Sequence, residues 1–373
     1  DVSGNVDIDG VLETDNLTIG GAQGSDGQVL TSTGSGVGWE SVPAGITNKT
    51  FGTSSIMIGD NATGTIDAAN YNTGLGVDVF AALTSGDNNT AIGFSALTAN
   101  TTGADNVAIG IYAMDANTTG AQNTALGRDA LGANTTATGN TGLGYASLGA
   151  NTTGASNVAV GYGSLDANTT ASNNTAVGYD ALGVNTTGTH NTAVGAAALD
   201  ASTTGSDLTA VGYNVLGANT TGYSNVGVGG SATYLAAALA TNTTGYGNTA
   251  LGSGAMAATT TASSNVAVGR QSMYANTTGS NNVGIGQAAL GANTEGGDNV
   301  AVGALAGDAN TTGAGLTAIG KGAAGANTTA NYNTAVGGAA LAVNTTGAGN
   351  TAVGYGALDA NTTASNNVAV GYG

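Results

Sequence analysis

The chain has 373 residues of which 7% are charged, and its four Lys and Arg stand against 22 acidic residues for a net charge of −18. A phosphate backbone would be repelled by such a surface, which excludes nucleic acid as a partner, and the absence of cysteine excludes disulfides and thiolate metal sites. With 66 Gly, one Pro and a 41% hydrophobic fraction made mostly of Ala, Val and Leu, the chain is neither a highly charged disordered segment nor, lacking a Gly-X-Y period, a collagen.

Residues 1–54 form a separate head segment that holds Trp39 and Pro43, the only Trp and Pro of the chain. Apolar and polar positions alternate through GNVDIDGVLETDNLTIGG, at Val6, Ile8, Val11, Leu17 and Ile19, which predicts two or three short half-buried strands. The stretch GSDGQVLTSTGSGVGWESVPAG then predicts a Gly/Ser-punctuated hairpin or meander ending near Pro43. From Ser55 to the end, residues 55–373, one unit of 17 residues returns, typified by NTAVGYDALGVNTTGTH from Asn174 to His190. Taking its first Asn as offset zero, the unit carries Thr or Val, Ala, an aliphatic residue and Gly at offsets one to four. Leu follows at eight and Asn-Thr-Thr at eleven to thirteen. A period this short defines a stacked array, because no single unit can bury a core.

Offsets one to three read as a strand. The larger side chains at one and three share one face, and the small Ala and Gly at two and four share the other. Neither face is charged, so both are expected to be buried, with the small face close to a symmetry axis. Gly at offset four supplies a turn, Leu at eight begins a second short strand, and Asn-Thr-Thr-Gly turns the chain back. The predicted fold is all-β: a repetitive parallel β-solenoid of left-handed β-roll type, as an intertwined or side-by-side homotrimer, with a short N-terminal β segment. A monomeric triangular β-helix is the competing reading, and the trimer follows from the thinness of each coil. Stacking at about 4.8 Å per coil gives a rod of roughly 90 Å.

Three irregularities break the register. NVGVGGSATYLAAALATNTTGYG is six residues too long, and aligning Leu239 with the other leucines places the insertion near residues 233–238. The leucine of offset eight is lost at Gly307 and at Ala324, which predicts the loosest part of the stack there, with Leu305 as a partial substitute. The sequence begins at Asp1 rather than Met and stops seven residues into a repeat, so both ends read as cut.

The NTAVG, NVAVG and NTAIG strands resemble the head repeats of trimeric autotransporter adhesins. The longer GYxALxANTTGxxN form and the opening segment are similar to bacteriophage tail-fibre and fibre-like structural proteins, with a period of 17 as the departure from the adhesin pattern. What the resemblance implies is a virion structural fibre that holds a receptor-binding tip away from the particle for host attachment. The alternative is a bacterial cell-surface adhesin or glycosylated extracellular fibril. The expected place is accordingly the extracellular virion or, alternatively, the cell surface. Expected partners are further copies of the chain in a homotrimer and a host surface glycan or receptor. No membrane insertion is expected, since the nearest apolar run, Leu235 to Ala240, is far shorter than a span.

Catalysis and bound cofactors are not expected. Solenoid enzymes hold carboxylates close together, whereas the acids of offset nine, Asp115, Asp166, Asp200, Asp308 and Asp359, never fall in adjacent coils. His190, the only His, sits in a turn with no second ligand nearby in sequence and reads as a surface residue. Offset five varies freely and includes Tyr145, Tyr162 and Tyr179 in consecutive coils. These three are a candidate glycan-contact strip, or else rings that cover the seam between coils. The N-x-T glycosylation pattern is met at Asn100, Asn117, Asn134, Asn151, Asn168, Asn185, Asn219, Asn242, Asn276, Asn310, Asn327, Asn344 and Asn361. Each is expected on an exposed turn. A turn requirement for Asn explains the motif without any glycan.

Overall fold

The structure, a computed structural model, describes residues 68–231 and 235–373. Before them it describes the strands Thr18–Ile19, Ala22–Gln23, Gln28–Ser32, Val37–Ser41, Thr47–Phe51 and Ser55–Gly59. The chain is a parallel β-solenoid, with no helix among the described residues. Each coil contributes one three-residue strand, from Thr73–Leu75 to Val368–Val370, and each strand pairs in parallel register with its counterpart one coil on. Thr175–Val177, for example, pairs with Thr192–Val194, and Ala176 stands opposite Ala193. The long unit keeps this register across 23 residues: Val226 pairs with Thr249, and Leu239 takes the buried place that leucine holds at offset eight elsewhere.

In the head, Gln28–Ser32 and Val37–Ser41 form the expected antiparallel hairpin, with Leu30 opposite Trp39. Thr18–Ile19 pairs with Ala22–Gln23, while the strand expected around Val6, Ile8 and Val11 lies outside the described residues. Thr47–Phe51 runs antiparallel to Ser55–Gly59, which in turn pairs with the first coil strand. An antiparallel strand thus ends the parallel stack and covers its first edge, the device by which repeat arrays avoid growing end to end.

Two expectations about the coil are corrected. The first concerns its faces. Ala176 is fully buried inside the coil, whereas Val177, on the face expected to be buried as well, is 36% exposed. The same split recurs along the stack, with alanine or glycine inside at offset two and Leu75, Leu126, Val194, Leu251, Ile285 and Ile319 exposed at offset three. Volume decides this. The interior of one coil already holds a leucine and two asparagines, as at Leu182, Asn174 and Asn185, and only a methyl group or hydrogen fits opposite them.

The second correction concerns offsets five to ten, which form no strand. They run as consecutive turns in which offsets six and eight take left-handed backbone, as at Asp180 (φ 50°) and Leu182 (φ 52°). Asp and Asn tolerate that conformation readily, whereas a leucine adopts it at a cost of about 1–2 kcal/mol. Burial of the leucine side chain, worth about 1.5–3 kcal/mol, offsets that cost. The turns still stack: Leu182 N donates to Ala198 O at 3.0 Å and Asp180 N to Tyr162 O at 3.0 Å. Inter-coil hydrogen bonds therefore run around the turns as well as along the strands.

Where leucine is missing at Gly307, its space is not empty. A Cβ there would stand 2.9 Å from a methyl of Leu316 and 3.3 Å from one of Leu290, so these two leucines close over the glycine. Leu316 occupies offset zero of its coil in place of asparagine and is fully buried. Leu305 is 42% exposed and does not substitute.

Candidate functional site

Three side-chain columns run along the rod and are the places where chemistry beyond packing is found. The first is internal. The asparagines of the Asn-Thr-Thr turns are fully buried from Asn100 through Asn344, and only Asn361 in the last coil is partly open. Asn185 Nδ2 donates to Gly188 O at 3.0 Å and to Asn168 Oδ1 at 3.1 Å. The asparagine of offset zero meets the same carbonyl from the other side: Asn174 Nδ2 donates to Gly188 O at 2.9 Å. Two amides converging on one carbonyl close each coil, and stacking them gives two buried asparagine ladders.

The expectation of exposed asparagines in these turns is thereby corrected. From Asn100 through Asn344 the amide nitrogens point inward and are held in hydrogen bonds. What the turn exposes is the second threonine, as at Thr187, while Thr186 Oγ1 is turned to Thr203 O at 3.0 Å.

The ladder is broken twice, by Ser202 and Thr259. At each break the preceding Asn185 Oδ1 or Asn242 Oδ1 is buried without a hydrogen-bond partner, as are the Ser202 and Thr259 hydroxyls. Thr259→Asn should restore a donor to Asn242 Oδ1 and remove two buried unsatisfied groups. Stability is expected to rise by about 1 kcal/mol, read as a higher midpoint of urea unfolding; an unchanged or lower midpoint would show that the ladder carries no net stability.

The second column is acidic. Sequence spacing kept the acids of offset nine apart, but the turns bring offset six beside them. Asp180 lies between Asp166 and Asp200 at a cleft of about 300 Å³ that Gly163, Gly183 and Val184 complete. Burial, with the Asp180 charge, holds the Asp166 carboxyl above the usual aspartate range, and burial first and Asp180 last do the same for Asp200. Asp115 and Asp308 are raised chiefly by burial. No group of three acidic or imidazole side chains among the described residues has the geometry of a metal site.

A carboxyl whose folded pKa lies above its unfolded value contributes stability when protonated and loses it as pH rises through the folded value. The rod should therefore unfold at higher urea concentration just above the ordinary aspartate pKa than at pH 7. Asp166→Asn should shrink that difference, and a stability that falls monotonically on acidification would contradict the arrangement.

The third column is offset five, just past the turn glycine. Tyr145, Tyr162 and Tyr179 stack face to face at 5.1 and 5.5 Å, with interplanar angles of 12° and 13°, and Arg128 lies over the far side of Tyr145 at 5.9 Å. The expected strip exists, but its rings cover one another. It offers ring edges and hydroxyls along its length. The neighbouring Asp180 carboxylate, through hydrogen bonding first and its charge second, raises the Tyr179 phenol pKa. His190 lies elsewhere, exposed in a left-handed turn at 3.9 Å from Asp207.

Compared with family models, with curated proteins and with solved structures, the chain matches none. The class defined by its own geometry is that of a parallel β-solenoid repeat protein with two buried asparagine ladders and one exposed aliphatic sheet face.

Proposed function

We propose that the chain is the stalk of a homotrimeric structural fibre, of the kind that holds a receptor-binding tip away from a virion for host attachment. One observation carries this reading, the exposed face of the parallel sheet. Its columns, threonine or valine at offset one and valine, isoleucine or leucine at offset three, run without a charged residue from Thr73–Leu75 to Val368–Val370. Seventeen steps of about 4.8 Å by a strand width of about 10 Å give a face of roughly 800 Å², the area that one partner contributes to a standard interface. Apolar faces of this extent mark interaction surfaces. Two unlike columns on one chain let each copy meet two neighbours, one through offset one and the other through offset three. Three copies close such a head-to-tail contact into a ring. A rod of stacked coils held in register by backbone hydrogen bonds and buried amides resists bending, as a stalk must.

Light scattering tests the assembly: the solution mass should be three times that of the 35.1 kDa chain. A stable monomer would overturn it. Ownership is tested by electron microscopy with an antibody against residues 68–373, which should decorate fibres on virions. Decoration of the bacterial surface in its place would make the chain an adhesin.

A further inference from the structure

We infer that the N-x-T sites from Asn100 to Asn344 accept an asparagine-linked glycan only while the chain is unfolded, and that a glycan on any of them keeps its coil from closing. The fold splits the motif. Asn185 is fully buried whereas Thr187, two residues on, is exposed, and the same division recurs from Asn100 and Thr102 to Asn344 and Thr346. An enzyme that must hold both ends of the motif finds the threonine outside the rod and the amide inside it.

Hydrogen bonding decides the chemistry. In glycan transfer the asparagine Nδ2 forms a bond to C1 of the sugar as the C1–O bond to a lipid pyrophosphate breaks; the pyrophosphate leaves with the electron pair and Nδ2 gives up one proton. An amide nitrogen has two hydrogens to donate. Asn117 Nδ2 directs them at Asn100 Oδ1 at 2.8 Å and Gly120 O at 3.0 Å, as Asn168 Nδ2 does at Asn151 Oδ1 at 2.8 Å and Ala171 O at 3.0 Å. A C–N bond of about 1.45 Å laid along a line of 3.0 Å puts C1 about 1.5 Å from the acceptor oxygen, far inside any non-bonded contact. A glycosylated amide must therefore turn out of the coil. If Asn168 does so, Asn151 Oδ1 loses its Asn168 donor and Asn185 Nδ2 its Asn168 acceptor, and one glycan breaks the ladder on both sides.

The threonine is separable from this role. In the coil of Asn293 the motif ends in Glu295 and is no acceptor site, yet Asn293 Nδ2 donates to Asn276 Oδ1 at 2.8 Å and to Gly296 O at 3.0 Å. All these bonds lie inside one chain and are independent of the stalk reading and of the mass measurement above. The rod consequently has to fold before it meets an asparagine-glycosylating enzyme, or in a compartment that has none.

The test has two arms. The folded chain, and the peptides cut from it by an aspartate-specific protease, are incubated with an oligosaccharyltransferase and its lipid-linked oligosaccharide. Occupancy is read site by site by mass spectrometry, with the partly open Asn361 scored apart. The peptides should be glycosylated, and Asn100 to Asn344 of the folded chain should stay bare. In the second arm the whole chain is passed through a eukaryotic secretory pathway. It should be recovered glycosylated and be cut by thermolysin at least about tenfold faster than the bare chain, within its glycan-bearing coils. Blocking synthesis of the lipid-linked donor, or replacing the exposed threonine of every site by alanine (Thr187→Ala and its counterparts), should restore the resistance of the bare chain. Glycans on Asn100 to Asn344 in the folded chain, peptides or a secreted chain left bare, a glycosylated chain as resistant as the bare one, or sensitivity that persists in both glycan-free chains would each overturn the assignment.

Discussion

Gly178→Ala is expected to open the rod at its own coil and leave distant coils closed. Gly178 has φ of +143°, a region that side chains with a Cβ rarely enter, and a Cβ built there would lie 2.5 Å from Gly195 O and 2.6 Å from its carbonyl carbon. Both atoms are backbone, and they belong to a chain segment that is itself held: Gly195 N donates to Val177 O at 2.8 Å. The coil cannot yield without breaking the ladder on that side. Strain of about 1–3 kcal/mol adds to the clash, for a total of about 4 kcal/mol. The chain offers its own control at offset fourteen, where glycine alternates with Ala137, Ala171, Ala262, Ala330 and Ala364, whereas offset four is glycine in every described coil. Because each coil touches only its neighbours, amide exchange should rise in the coils around Gly178 and stay low beyond residue 282. Equal exchange in mutant and parent would show that the turn has another way to form.

Much of the architecture was legible because period and turn chemistry are local properties. Glycine at offset four announces a positive φ, and the structure has it there, as at Gly178. Alternation in Thr175–Val177 revealed two faces but not which one is inside, since that depends on how much volume the rest of the coil already claims. The signal was available in the exceptions. Asparagine is replaced by Leu208 and Leu316 at offset zero and by Leu83 at offset eleven, all three fully buried. A position that exchanges an amide for a leucine is an interior position, and reading both asparagines as interior leaves no room for valine. The acidic cleft was invisible for a different reason. It joins offset six of one coil to offset nine of its neighbours, and that proximity exists only because the turns between them are left-handed at Asp180 and Leu182. The tyrosine stack was legible from the period alone, while its occlusion follows from ring geometry.

Ala176→Asp and Val177→Asp, adjacent substitutions of the same charge, are expected to fail in different ways. Ala176 is fully buried in a column between Ala159 and Ala193, with Leu182 filling the same interior. A carboxylate there has three more heavy atoms than the methyl it replaces and no cationic partner, since the interior of the coil is lined by alanine, leucine and amides already bonded to each other. Burying that charge, or forcing the coil open to hydrate it, costs about 5 kcal/mol or more, and the chain should accumulate unfolded or insoluble. Val177 points out of the coil. Its carboxylate would be solvated in a single chain, so the solenoid should fold with an unchanged circular dichroism spectrum. In the proposed trimer the same group meets its two symmetry mates on a closed apolar face, and light scattering should read the mass of one chain. Placed side by side, the two variants separate coil from assembly: an insoluble Val177→Asp beside a soluble trimeric Ala176→Asp would reverse the inside and outside of the sheet, and a soluble trimeric Val177→Asp would remove the aliphatic face from the assembly.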